Sequence, residues 1–246
     1  MDERLVRGFP STRHSAVAAA RSEDAAERAR GLATVASVYW RPVYSYLRLR
    51  WRRPHEEAAD LSQEFFAEVV QKELLVRFDP ARARLRTFLR TCIDGLVANH
   101  DKAAKRQKRG GGAATVPLDV SFDFAGTREE IERLMDTAAS PERLFEQEWS
   151  RAVFAMALDR LRAECAKAGK SRQYEIFEQY DLASGERPTY AALAERFGIE
   201  ATDVTNWLFR VRRELRRVVL DVLGELTTSE EEFREEAQAL LGAQAG

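Results

Sequence analysis

Residues 189–217, TYAALAERFGIEATDVTNWLFRVRRELRR, read as two short helices joined by a tight turn, the second running into a burst of arginines. Tyr190, Leu193, Ala194 and Phe197 recur at helical spacing, and Gly198 stands where a helix commonly ends on a left-handed residue. Beyond the break, Val204, Leu208, Val211, Leu215 and Val218 form a second stripe in steps of four and three. Thr205, Asn206, Phe209, Arg210 and Arg213 fall off that stripe and are available to a partner outside the fold. Short polar side chains followed by arginines suit a helix whose N-terminal half enters a major groove, with polar groups at base edges and cations at phosphates. The plainer reading is a helical hairpin with a solvated basic face.

Around this hairpin the composition is that of an all-helical protein. The chain has 246 residues, enough for one or two domains with a proper core, and only 13 Gly and 7 Pro interrupt its Ala, Arg, Glu and Leu. Its two cysteines, Cys92 and Cys165, lie far apart inside helical patterns and read as small buried residues in a reducing compartment, not as a disulfide framework. No apolar run is long enough to cross a membrane, and the N-terminus lacks the apolar core of a signal peptide. A cytoplasmic protein without membrane insertion is expected.

A net charge of −1, from 39 basic and 40 acidic residues, conceals segregation. Arg41, Arg48, Arg50, Arg52 and Arg53 form one basic cluster; a second runs from Arg82, Arg84, Arg86 and Arg90 to Lys102, Lys105, Arg106, Lys108 and Arg109. Acidic residues collect at 129–148 and in the tail, where Glu225, Glu230, Glu231, Glu232, Glu235 and Glu236 face only Arg234. Such alternation fits a protein that meets a polyanion at several places.

Along the chain, successive helices are expected from about Ser22 to Lys108, with Pro42, Pro54 and Pro80 at their starts or between them. Leu61, Phe65 and Val69 share one lane, Phe66, Val70 and Leu74 the next, and Leu85, Phe88, Leu89, Cys92, Ile93, Leu96 and Val97 mark a long helix. Gly110, Gly111 and Gly112 stop this block, and residues 111–140 read as a linker. A second block brings helices around Leu144 to Cys165 and Gln173 to Asp181 before the hairpin. The tail, with Phe233, Ala237, Leu240 and Leu241 at helical spacing, suggests one more amphipathic helix.

Four stretches in this order resemble a bacterial RNA polymerase sigma factor of the sigma-70 family, extracytoplasmic-function type. They are YWRPVYSYL at 39–47, DLSQEFF at 60–66, the segment from RTFLR to ANHDKAAKR at 86–106, and the hairpin. The resemblance implies two helical domains: residues 34–110 like the family's second domain, a helical bundle, and 141–223 like its fourth, a helix-turn-helix. Residues 1–33 would be an N-terminal extension, 111–140 the linker, and 224–246 an acidic C-terminal extension. By that resemblance Asp60, Gln63, Glu64 and Phe66 would dock on the polymerase core. Asn99 would capture a base of the promoter element nearest the start site, with Lys102, Lys105, Arg106 and Arg109 holding the strand. Thr205, Asn206, Phe209, Arg210 and Arg213 would meet the more distant element, with Arg212, Arg213, Arg216 and Arg217 the candidates for holding phosphates. The implied partners are core RNA polymerase and promoter DNA, with an anti-sigma factor as a further candidate; no cofactor and no metal is implied.

Two features depart from the short family pattern: the extensions at both ends, and Glu200 with Ala201 at the start of the second hairpin helix, where a serine-like cap is more usual. The acidic tail helix is expected to pack on a basic surface and temper DNA binding. An enzyme is the competing class, with Glu57, Asp60 and Glu64 imaginable as ligands on a bundle. His14, His55 and His100 are scattered, however, and no Glu-x-x-His pair, nucleophile elbow or phosphate-cradling loop occurs, so catalysis is not expected. The remaining alternative is a helix-turn-helix regulator that acts without joining the polymerase.

Overall fold

The computed structural model describes residues 15–106, 124–137, 140–183 and 185–242; among them every regular element is helical and no strand forms. None of these helices is long and apolar enough to cross a membrane. The described chain divides into two compact units, one built from residues up to 152 together with those from 223 onward, the other from 153–222.

The first unit starts before the expected bundle. Helix α1 (Ala16–Ala19) is capped by Ser15, whose Oγ accepts from the Ala18 N–H at 3.0 Å, and lies against α2 (Ala25–Arg50). The approach is close enough to require glycine at residue 31: a Cβ there would meet the Ala20 nitrogen at 2.3 Å and the Ala16 carbonyl oxygen at 2.6 Å. Arg21, between these helices, donates to the carbonyls of Leu75 (2.7 Å) and Phe78 (2.5 Å). Residues 15–33 are thus part of the bundle.

Pro42 overturns one expectation. It lies inside α2, neither at a start nor between helices. A proline in a helix interior removes one backbone hydrogen bond and costs about 3 kcal/mol. The helix continues because the residues on both sides of it, Val38, Tyr39, Val43, Tyr44 and Leu47, are all buried. Helix α3 (His55–Gln71) buries Leu61, Phe65, Phe66 and Val69, while Glu56 and Glu57 stand in its first turn, where the helix dipole favours acids. After a 3-10 turn (Leu74–Arg77), α4 (Leu85–Arg106) buries Leu85, Leu89, Ile93, Leu96 and Val97. Asp94 on α4 accepts from Trp51 Nε1 at 2.9 Å.

The expected linker is also corrected in part. Residues 107–123 lie outside the described residues, but Phe124–Thr137 forms helix α5, which packs on α2 and buries Ile131. Helix α6 (Pro141–Lys167) follows. Its first part adds Leu144, Phe145 and Trp149 to the core of the first unit, and its residues from Val153 onward, among them Ala157, Leu161 and Cys165, to the core of the second.

The acidic stretch at 129–148 explains the basic cluster on α2. Arg41 donates to Glu130 (2.6 Å) and to the fully buried Glu148 (2.9 Å), Arg151 reaches the same two carboxylates at 2.7 and 3.2 Å, and Arg48 pairs with Glu132 at 3.1 Å. Arg53 is held by Glu57 (2.8 Å) and Asp101 (2.5 Å). Much of the charge that sequence alone offered to a polyanion is therefore spent inside the fold. Pairing between residues some ninety positions apart leaves no mark on local periodicity.

The second unit continues with α7 (Ser171–Phe177), which runs directly into a π-helical turn (Glu178–Leu182), then α8 (Tyr190–Phe197) and α9 (Ala201–Leu226). The last four residues of α9 and helix α10 (Glu230–Leu241) belong to the first unit. Both cysteines are free thiols, and burial raises the pKa of each.

Candidate nucleic-acid interface

The hairpin forms where its pattern predicts, but its second helix is not short: α9 runs past the arginines to Leu226. Thr189 caps α8, its hydroxyl accepting from the Ala192 N–H at 3.1 Å. Gly198 closes the helix at φ 60° and ψ 46°, and the Ile199 N–H returns to the Ala194 carbonyl at 3.0 Å. This is the Schellman arrangement, which a β-carbon would strain. The missing N-cap on α9 is replaced by its mirror device. The Asp203 carboxylate, one turn in, accepts from the Glu200 N–H at 3.3 Å and places an acid at the positive end of the helix.

The two stripes then pack together. Leu193, Ala194, Val204, Leu208, Val211 and Val218 are buried, and Leu215 is half-buried. The opposite face of α9 carries Thr205, Asn206, Phe209, Arg210 and Arg213, all exposed. Phe209 is 64% exposed, a ring whose burial against a partner would be worth about 1.5–3 kcal/mol. Thr205 Oγ1 donates back to the Ala201 carbonyl at 3.2 Å. Arg210 has no ion pair among the described residues, and the nearest carboxylate oxygen to Arg213 is that of Glu214 at 3.7 Å.

The other arginines of this helix differ. Arg212 makes a two-pronged pair with Asp181, Nε at 2.8 Å and Nη2 at 2.9 Å, and sits over the Tyr180 ring at 5.6 Å. The hydrogen bond to Asp181 is the main reason its pKa is raised. Arg217 is divided among Glu164, Glu214 (3.0 Å) and Asp221 (2.6 Å). These two, expected to hold phosphate, instead fix α9 within its own unit. Arg210, with no ion pair among the described residues, and Arg213, with only the 3.7 Å contact to Glu214, are less engaged than these two.

Sequence reasoning did not find Tyr180 and Asp181, which hold Arg212. They lie in the π-helical turn, where one extra residue per turn rotates the following side chains off the regular helical phase. The Tyr180 ring also meets that of Tyr190, at the start of α8, tilted at 53° with centroids 5.1 Å apart, and carries Arg187 over it at 5.6 Å. Nothing in residue spacing announces such a turn.

The chain matches no protein-family model, no curated protein and no solved structure.

In the first unit, Asp60 and Gln63 are exposed on α3 and Glu64 is half-buried beside them. Phe66 does not share that face. It is 2% exposed, with its ring edge-on to Phe65 at 5.3 Å, so it supports α3 from beneath. Burial of an aromatic ring outweighs its placement one helical step from the polar residues. Glu57, imagined as a ligand with Asp60 and Glu64, is held by Arg53.

On α4, Asn99 and Lys102 are exposed. Lys105 and Arg106 fall in the last turn of α4, where only the backbone is described, and Arg109 lies outside the described residues. At the other end of this helix, Arg86 is 7% exposed, packed over the Trp149 ring at 4.0 Å and paired with Glu146 at 2.8 Å. Arg90 also reaches Glu146, at 3.3 Å.

Proposed function

We propose that this protein is a sigma factor that joins core RNA polymerase and directs promoter recognition, DNA melting and transcription initiation. The observation that carries the reading is the outer face of α9. Thr205, Asn206, Phe209, Arg210 and Arg213 stand exposed in the first four turns of the second helix of a helix-turn-helix, with hydrogen-bonding groups ahead of two cations, of which Arg213 has only a 3.7 Å contact to Glu214. Such a face reads base edges with its short side chains and lets an aromatic ring touch a thymine methyl.

Two further features support the polymerase-bound form of the reading. Asp60 and Gln63 give α3 an exposed acidic and amide face that its own bundle does not use. Asn99 projects from α4 with Lys102 one turn on, an amide and a cation suited to an unstacked base and its backbone. The four sequence stretches that resemble the sigma-70 family contain these residues in the family's order.

Capture of the chain by immobilised core RNA polymerase tests this directly. Wild-type protein is retained, and Asp60→Ala/Gln63→Ala is not, while the variant keeps its duplex DNA affinity. A regulator that never joins the polymerase would be retained in neither form.

A further inference from the structure

We propose that α10 is an acidic cover seated on a nucleic-acid-binding surface at the start of α4, and that single-stranded DNA displaces it. The inference rests on the reading of the first unit as a DNA-binding module and adds how its access is controlled.

The start of α4 is electrostatically inverted. A helix N-terminus carries partial positive charge and favours acids, yet the first turn of α4 contains none and is flanked by Arg84 and Arg86. The compensating charge arrives from elsewhere in the same unit. Arg84 pairs with Glu235 and, at 3.2 Å, with Glu236; Arg86 pairs with Glu236 and with Glu146 at 2.8 Å. Two of these three carboxylates belong to α10. Without that helix, Arg84 would lose both its partners and Arg86 would keep only Glu146, leaving beside the first turn of α4 a net positive site of the kind that holds phosphate.

Helix α10 is built to sit there without holding fast. Ser229 caps it, accepting from the Glu232 N–H at 3.1 Å, and Phe233, Ala237 and Leu241 are buried. At 12 residues it is too short to be stable alone, so docking and helix formation are coupled. Glu236 is 4% exposed, and burying an ion pair offsets most of its own attraction by desolvation. An arriving polyanion need not wait for complete release. An open cleft of about 250 Å³ is lined by Pro80–Arg84 on one side and by Ser229, Glu231, Glu232 and Glu235 on the other, and Arg82 there is 86% exposed with one exposed partner, Asp79 at 3.3 Å. Phosphate can engage Arg82 first and then compete with the two glutamates for Arg84 and Arg86. The carboxylates thus occupy positions that phosphates would take.

Two measurements on the full chain decide this. The first is amide hydrogen exchange across residues 230–241 with and without a saturating 30-nucleotide single-stranded DNA of mixed sequence. Protection is present in the free chain and lost in the complex. The second is affinity for the same probe as a function of salt. Glu235→Gln/Glu236→Gln binds about tenfold more tightly, with a salt slope steeper by about 1.4, the contribution of two phosphates on single strands. Adding Arg84→Gln/Arg86→Gln cancels both gains. Unchanged protection of α10 in the complex overturns the proposal, as does equal affinity of wild type and Glu235→Gln/Glu236→Gln, a gain that survives loss of the arginines, or no binding by either form. The function reading is judged separately, by capture on core polymerase: a chain that is captured but whose α10 stays protected keeps that reading and loses this one.

Discussion

Arg212 and Asp181 meet edge to edge across the hairpin unit, two nitrogens on two oxygens at 2.8 and 2.9 Å, with the Tyr180 ring beneath the guanidinium. The contact ties α9 to the π-helical turn. Lysine keeps the charge but cannot make the fork or lie flat on the ring. Arg212→Lys is expected to lower stability by about 0.5–1 kcal/mol, and the difference to shrink in 1 M salt, both read by denaturant unfolding. A stability unchanged at low salt would show that the pair contributes nothing.

Two glycines in helices make opposite predictions. Gly31 has no room for a β-carbon, whereas nothing lies within 4 Å of the one that Gly95 would carry. Gly31→Ala forces α1 and α2 apart at a cost of about 1–3 kcal/mol. Gly95→Ala gains about 0.5–1 kcal/mol from helix propensity alone. Thermal unfolding of the two variants compares them directly.

The outer face of α9 should separate stability from binding. Phe209→Ala leaves unfolding free energy within about 0.5 kcal/mol of wild type, because the ring is exposed, while weakening duplex binding. Arg213→Gln weakens binding across sequences and lowers the salt slope by about 0.9, one phosphate fewer. Fluorescence anisotropy on duplex fragments over a salt series measures both. A large stability loss in Phe209→Ala would mean that the ring belongs to the core.

Two glutamates of the first unit titrate in opposite directions. The hydrogen bond from Arg41 holds Glu130 below its ordinary value of 4.5. Its contribution to stability is present above that value and is lost as pH falls through the depressed pKa. Burial raises Glu236 above 4.5, opposed by Arg86 and Arg84 and reinforced by Glu146 and Glu232. Denaturant unfolding of wild type and Glu130→Gln from pH 7 down to 3 should show the stability gap between them closing as pH falls. A gap that stays constant over this range contradicts the assignment to Glu130.

The hairpin was legible in the sequence because its signals are local: two stripes, and a glycine whose φ of 60° only a turn requires. The helices of the first bundle were legible for the same reason. What periodicity could not show was pairing over distance. Arg41 with Glu148 and Arg212 with Asp181 are 107 and 31 positions apart, so residues offered to DNA by composition proved to be tied within the fold. Local pattern also misjudged Pro42, where burial on both sides outweighs the lost hydrogen bond. The resemblance, not the pattern, placed Phe66 on an interaction face; the apolar lane it shares with Val70 and Leu74 marks it for the core, where it lies.

Transcription reconstituted from core RNA polymerase, this chain and genomic fragments tests the central claim most directly. Core polymerase with the chain is expected to start transcripts at discrete positions that core alone does not use, and Asn99→Ala to abolish those starts while the protein still binds the polymerase. Transcripts with the same start positions and yields with and without the chain would contradict the account.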